Sequence, residues 1–135
     1  MNIDKIFENN AALLDVVGRI LIATIFIISG YEQIHDFAGT QGFMASKGIP
    51  GALLYVVIAL ELLGGLAIVV GWQVRAVAFL LAGYSLLAAV LFHTNFADEQ
   101  QFYSFLKNLG MAGGFLFLVA NGAGRLSLDA KRQMQ

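Results

Sequence analysis

Four separate stretches of this chain stay apolar for close to twenty residues each, at about 13–34, 52–72, 75–93 and 105–123. A helix that crosses the hydrocarbon layer of a bilayer needs about 20 such residues. Lipid offers no partner to a bare peptide group, so a spanning segment must satisfy its own backbone. The apolar runs also lack the alternating pattern of barrel strands. The sequence therefore predicts an all-α fold, a four-helix transmembrane bundle forming one membrane domain over residues 1–135. The links between the second, third and fourth spans are short, which makes sequential helices antiparallel neighbours in an up-down-up-down order.

Composition narrows the possible functions. Charged residues make up 13% of the chain and hydrophobic residues 59%, against about 25% charge in an ordinary soluble domain. The net charge of −1 provides no basic surface, so no nucleic-acid partner is expected. The chain has no cysteine, which excludes disulfides, thiol redox chemistry, cysteine-ligated iron–sulfur clusters and thiolate zinc sites. Two histidines, His35 and His93, are too few for a bis-histidine haem and a further role. No metal site, nucleotide loop or nucleophile triad is present, and no residue is assigned a catalytic role. Any redox cofactor must be borrowed or diffusible. The opening residues, Met1 to Lys5, lack the features of a signal peptide, so the first span is expected to be retained.

Basic residues set the expected orientation. Lys5, Arg19, Arg75, Arg125, Lys131 and Arg132 fall on the side shared by both termini, whereas Lys47 and Lys107 fall on the other. This bias predicts cytoplasmic termini. The longest link, His35 to Pro50, carries Phe37, Phe43 and Met44 among Gly, Thr and Ser. It reads either as a short interfacial helix on the outer face or as a plain connecting loop, and Gly48-Ile49-Pro50-Gly51 breaks it before the second span.

Several polar residues inside the spans are candidates for function. Glu61 lies about nine residues into the second span, roughly 14 Å along a helix and hence near the midplane. A carboxylate at that depth is costly and is a functional candidate by default; the alternative is a neutral Glu that serves as packing glue. Gly64 and Gly65 follow on the same face and would admit a neighbouring helix. Arg19 cannot lose its proton. It is expected to pair with Glu61, or else to reach outward to Asp15 one turn earlier. Ala23, Phe26, Gly30 and Gln33 continue the Arg19 stripe, which reads as protein-facing.

His93 ends the third span above a stripe of Ala78, Ala82 and Ala89. Lys107 and Asn108 open the fourth span at a similar depth, and Gln33 ends the first. These four, with Glu32 as a further member, could line one polar pocket at the outer end, where His93 would exchange protons near neutral pH. The alternative is that they are ordinary helix-end residues, and Glu32, His35 and Asp36 are read that way. Gly110 and Gly114 form a small-xxx-small pair that suits tight packing or a homo-oligomer. Trp72, Tyr84 and Tyr103 need no role beyond anchoring or packing.

The order and spacing of several segments resemble the DoxX family of bacterial inner-membrane proteins. The segments are GRILIATIFIISG (Gly18–Gly30), DFAGTQGFMASKGIP (Asp36–Pro50) and ALELLGGLAIVVG (Ala59–Gly71), followed by Arg75, LFHTNF (Leu91–Phe96), FLKNLGMAGGFLFL (Phe105–Leu118) and GAGRLSLD (Gly122–Asp129). The resemblance spans about Leu13 to Asp129. It implies a four-helix membrane fold and a place beside oxidoreductases, as a subunit that anchors a redox-enzyme partner or holds a quinone or quinol. Solute or proton transport, or a non-catalytic scaffold, are the competing functions. The positions that match the family's polar pattern are Arg19, Glu61, His93, Lys107 and Asn108. Where the family often has Gly-x-x-Lys at the end of the first span, this chain has Gly30 followed by Tyr31, Glu32 and Gln33.

Overall fold

In a computed structural model describing residues 2–134, the chain is helical throughout, with no strand among the described residues. Met1 and Gln135 lie outside them. The short α1 (Ile3–Asn9) leads into α2 (Ala11–His35), and α3 (Phe37–Ser46) follows as a separate helix. A single 3-10 turn (Gly51–Leu53) then opens α4 (Leu54–Val70). After it come α5 (Val74–Phe92), α6 (Glu99–Asn121) and the terminal α7 (Leu128–Gln133). Four helices, α2, α4 with its 3-10 turn, α5 and α6, are long and apolar enough to span a membrane, as the sequence predicts.

The differences from the sequence reading lie at the ends. The link from His35 to Pro50 is the helix α3 rather than a loop. The last span starts about six residues earlier than expected, because the Asp98 side chain accepts the Gln100 amide and caps a polar first turn. Such capping favours a helix even where hydropathy is low.

The inward faces of the spans mix small residues with a few large ones such as Phe26, Leu81 and Phe115, and many large apolar residues face outward. Arg19, Ala23, Phe26 and Gly30 form the buried stripe of α2, as the predicted protein-facing face requires. Ala78, Leu81, Ala82, Ser85 and Ala89 do the same for α5. Leu63, Phe79 and Phe117 point away from the bundle, as lipid-facing residues do.

The α2–α4 pair, like the α5–α6 pair, is closely packed, and glycine makes the first approach possible. A Cβ added at Gly65 would lie 2.7 Å from Ile27 Cγ1, and one at Gly30 would lie 2.7 Å from Leu62 Cγ. Gly114 likewise faces Ile22 of α2, whereas Gly110 faces open space.

Both termini, the α4–α5 turn and the end of α6 meet at one end of the bundle, and polar chemistry ties them together. Gly71 ends α4 with φ +78°, the left-handed conformation that glycine adopts without strain. Gln73 also has positive φ, at 47°, which costs a side-chain-bearing residue. The Asp129 carboxylate offsets this by accepting the amides of Gln73 at 2.7 Å and Val74 at 2.9 Å, the free donors that open α5. The Asp129 amide donates in return to Gly71 O at 2.8 Å. Arg75 donates to Val119 O and Ala120 O, the last carbonyls of α6, at 3.1 Å each, where a cation also complements the helix dipole.

The close α2–α4 contact gives a direct test. Gly65→Val should force Ile27 out of place and lower stability by about 1–3 kcal/mol, the usual range for overpacking. Thermal unfolding in detergent, followed by circular dichroism, measures it, and an unchanged melting curve would contradict the packing described.

Candidate functional site

At the end of the bundle opposite the termini, the spans part around a cavity of about 320 Å³. Its deepest polar group is Glu61, on the buried face of α4 and 3% exposed. The Tyr84 hydroxyl of α5 donates to Glu61 Oε1 at 2.7 Å. Ser29 and Gln33, one turn apart on α2, flank the same carboxylate, and Gln33 Nε2 donates to Ser29 Oγ at 3.2 Å. Glu61 Oε2 and Gln33 Oε1 are buried without a hydrogen-bond partner.

From α6 the cavity receives Ser104, Lys107, Asn108 and Met111, and from the end of α5 it receives Phe92 and His93. Asn108 is held by donating to Ser104 O at 2.9 Å. Lys107 is exposed at the mouth and His93 is half-buried beside it. Thr40, Phe43 and Met44 of α3 complete the wall. Phe43 stacks on Phe92 with ring centroids 5.4 Å apart, so α3 is tied to the rim.

Beneath the carboxylate the space closes. Phe26 packs edge-on to Phe115 at 5.3 Å and to Tyr84 at 6.3 Å. This aromatic layer separates the cavity from the hydrogen-bonded end. The result is a largely apolar chamber with a carboxylate at its floor and a histidine and a lysine at its mouth.

A DoxX family profile matches residues 14–94 of this sequence. The chain belongs to the DoxX family. It is 46% identical to the inner membrane protein YqjF of Escherichia coli over 84% of this chain and 88% of that one. It is 36% identical to the E. coli inner membrane protein YphA over 97% of this chain and all of the other. A third relative, CatD of Bacillus subtilis, is provisionally named an oxidoreductase and is 33% identical over 65% of this chain and 62% of its own. No solved structure matches the chain significantly.

Of the polar residues singled out in the sequence, Gln33, Glu61, His93, Lys107 and Asn108 share the one cavity, and Arg19 does not. The expected Arg19–Glu61 pair is not formed. The Arg19 guanidinium is 1% exposed and lies at the opposite end. It donates to Ile68 O at 3.2 Å, to Val69 O at 3.0 Å and to Leu126 O. Ile68 follows Glu61 by seven residues on α4, about 10 Å along a helix, which puts the two charges on different levels. Asp15 and Asp129 supply the negative charge that faces Arg19. Carbonyls at the end of α4 have lost their helical partners, so they satisfy a cation without a carboxylate. Glu32 is exposed and does not line the cavity.

Tyr84 is the site residue that the sequence reading assigned only to anchoring or packing. Its position gave a signal, since tyrosines that anchor a helix sit at the membrane interface, whereas Tyr84 falls at the middle of α5. Ser29 had a weaker signal, one helical turn before Gln33.

His93 has its imidazole pKa pushed below the ordinary 6.5, first by burial and then by Lys107 and Lys47. Both effects disfavour the charged ring. Its contribution to stability is therefore present above about pH 6.5 and is lost as pH falls below that value. In a nuclear magnetic resonance titration in a membrane mimetic, the His93 ring should protonate below 6.5, and Lys107→Gln should move the midpoint upward.

A double-mutant cycle tests the separation of Arg19 from Glu61. Arg19→Met should cost about 3 kcal/mol, the scale of hydrogen bonds to a charged group. Combined with Glu61→Gln, the effects should add to within about 0.5 kcal/mol, as independent sites do. A larger coupling in thermal unfolding would restore the ion pair.

Proposed function

We propose that this DoxX-family protein is an accessory, quinone-handling membrane subunit of an oxidoreductase system. In this reading it lies in the bacterial inner membrane with both termini in the cytoplasm. The observation that carries the proposal is the cavity of about 320 Å³, apolar in its walls and polar at its floor and mouth. Binding sites for small apolar molecules with a few oriented polar groups have this character. A quinone ring is such a molecule, and it travels in the layer where the cavity lies.

Within that reading the residues divide the work. Phe26, Phe43 and Phe92 offer flat apolar surface to a ring. Glu61 with Tyr84 holds or passes a proton at the floor, and His93 exchanges one at the mouth. The chain has no cysteine and no group of three or more His, Cys, Asp or Glu that could hold a metal among the described residues. The redox chemistry therefore belongs to the quinone and to a partner enzyme. The name of the B. subtilis relative, which points to oxidoreductases, supports the same assignment.

The end that carries the termini supports this reading over solute transport. Arg19 and Asp129 tie α2, α4, α5 and the terminal segment together there by hydrogen bonds, so a path through one chain would have to break them or pass beside them, where a cleft lined by Gln73, Arg75 and Asp129 lies. The orientation rests on the basic residues, six of which lie at that end.

Gentle purification from the native membrane is the test. A redox enzyme or a quinone should co-purify with the natural chain and be lost with His93→Ala or Glu61→Gln at equal expression. C-terminal reporter fusions should be active only with the cytoplasmic reporter. Recovery of the chain alone and quinone-free, with solute uptake by reconstituted vesicles, would overturn the proposal in favour of a transporter.

A further inference from the structure

The hydrogen-bond inventory of the cavity is unbalanced. The Tyr84 hydroxyl is spent on Glu61 Oε1, Gln33 Nε2 on Ser29 Oγ, and Asn108 Nδ2 on the Ser104 carbonyl. Each of these donors already makes one bond, while the Ser29 hydroxyl and the second amide hydrogens of Gln33 and Asn108 stay available. The atoms left with no bond at all are oxygens: Glu61 Oε2 and Gln33 Oε1 are both buried and both without a partner, and both residues line the same cavity. The only other buried unpartnered side-chain nitrogen or oxygen among the described residues is Arg19 Nε, at the far end of the bundle.

A buried polar atom with no partner carries a desolvation cost of about 1–3 kcal/mol. A ligand that supplies a donor there recovers that cost. One that presents a carbonyl to the ionised carboxylate and to Gln33 Oε1 sets acceptor against acceptor and leaves both oxygens unpaired. Sites built to bond a hydroxyl discriminate strongly against the analogue that lacks it, because their own buried groups then stay unpaired.

We propose that the cavity selects its ligand as a hydrogen-bond donor: a small, mostly apolar molecule whose O–H docks on Glu61 Oε2 and Gln33 Oε1, so that the hydroxylated, quinol-like form is held in preference to the quinone. This deepens the proposed function and rests on its reading that the cavity takes a small ring. The discrimination is made at the buried end, by Glu61 of α4 and Gln33 of α2. Lys107 and His93, at the mouth, meet whatever the ligand presents outward and do not set the preference.

The test compares three probes on the purified chain in phospholipid nanodiscs: ubiquinol-1, ubiquinone-1, and the di-O-methyl ether of the quinol. The ether keeps the ring and removes both donors. The chain has no cysteine, so dithiothreitol can hold the quinol reduced without altering the protein. The quinol should bind at least about tenfold more tightly than either of the others, the equivalent of about 1.4 kcal/mol. Glu61→Gln places an amide donor at the floor and should shrink that ratio to below about threefold. Gln33→Met, on the other span, should shrink it part-way, and it stands as the independent variant if Glu61→Gln fails to fold. Equal affinities for quinol and quinone, an ether that matches the quinol, or a ratio unmoved in folded variants would each overturn donor selection while leaving a ring-binding cavity in place. Failure of all three probes to bind would overturn the proposed function together with it.

Discussion

A guanidinium keeps its proton in any protein environment, so a chain that carries one inside a membrane must surround it with acceptors. Arg19 finds them at the ends of other segments. The carbonyls of Ile68 and Val69 finish α4, and that of Leu126 lies in the segment after α6. One side chain of α2 thereby fixes where α4 stops and where the terminal segment runs. Gly71 is part of the same constraint, because a Cβ there would meet the Arg19 Nη1 and Ser127 atoms. The turn after it is then held by Asp129. Arg19 thus organises the meeting of α2, α4 and the terminal segment, while Asp129 and Arg75 fix the start of α5 and the end of α6.

The opposite end follows from a charge treated in the other way. Glu61 is as deeply buried as Arg19 is, yet only one of its oxygens is partnered. An unsatisfied buried polar group is uncommon in folded proteins and calls for a specific reason. The Phe26–Phe115 contact isolates it from the Arg19 end, and the α3 wall through Phe43 and Phe92 bounds it on the other side. The bundle is thus asymmetric along its axis: at one end a cation gives three hydrogen bonds to carbonyls and leaves only Nε unpaired, and at the other two acceptor oxygens are left without a partner.

Much of this was legible in the sequence, for identifiable reasons. The spans could be read because lipid imposes a length and a hydropathy on any helix that crosses it. The cavity residues Gln33, Glu61, His93, Lys107 and Asn108 could be read because polar groups at matching depths on antiparallel helices come to one level. Arg19 was misassigned because charge complementarity ignores depth. Glu61 and Arg19 have opposite sign but sit on different turns, and the sequence gives no warning that carbonyls at a helix end can replace a carboxylate. Tyr84 was passed over because aromatic residues in a membrane protein are so often anchors. The starts of the polar segments were the least visible, since α1, α7 and the first turn of α6 depend on capping by Asn2, Ser127 and Asp98 rather than on hydropathy. The role of Asp129 was hidden for a related reason, as its partners, the amides of Gln73 and Val74, precede it by more than fifty residues.

That separation in sequence bears on how the molecule is assembled. A chain is made from its N-terminus, so α2, α4 and α5 are complete before Leu126, Ser127 and Asp129 have been added. Until then Arg19 lacks its Leu126 acceptor, and the turn at Gln73 has no carboxylate to offset its backbone conformation. The spans can each enter the bilayer on their own hydropathy, but the arrangement at the terminal end cannot become final until Leu126 to Asp129 have been added. The closing of the bundle therefore follows the synthesis of all four spans and is made by the polar segment after α6 rather than by any of the membrane-crossing helices.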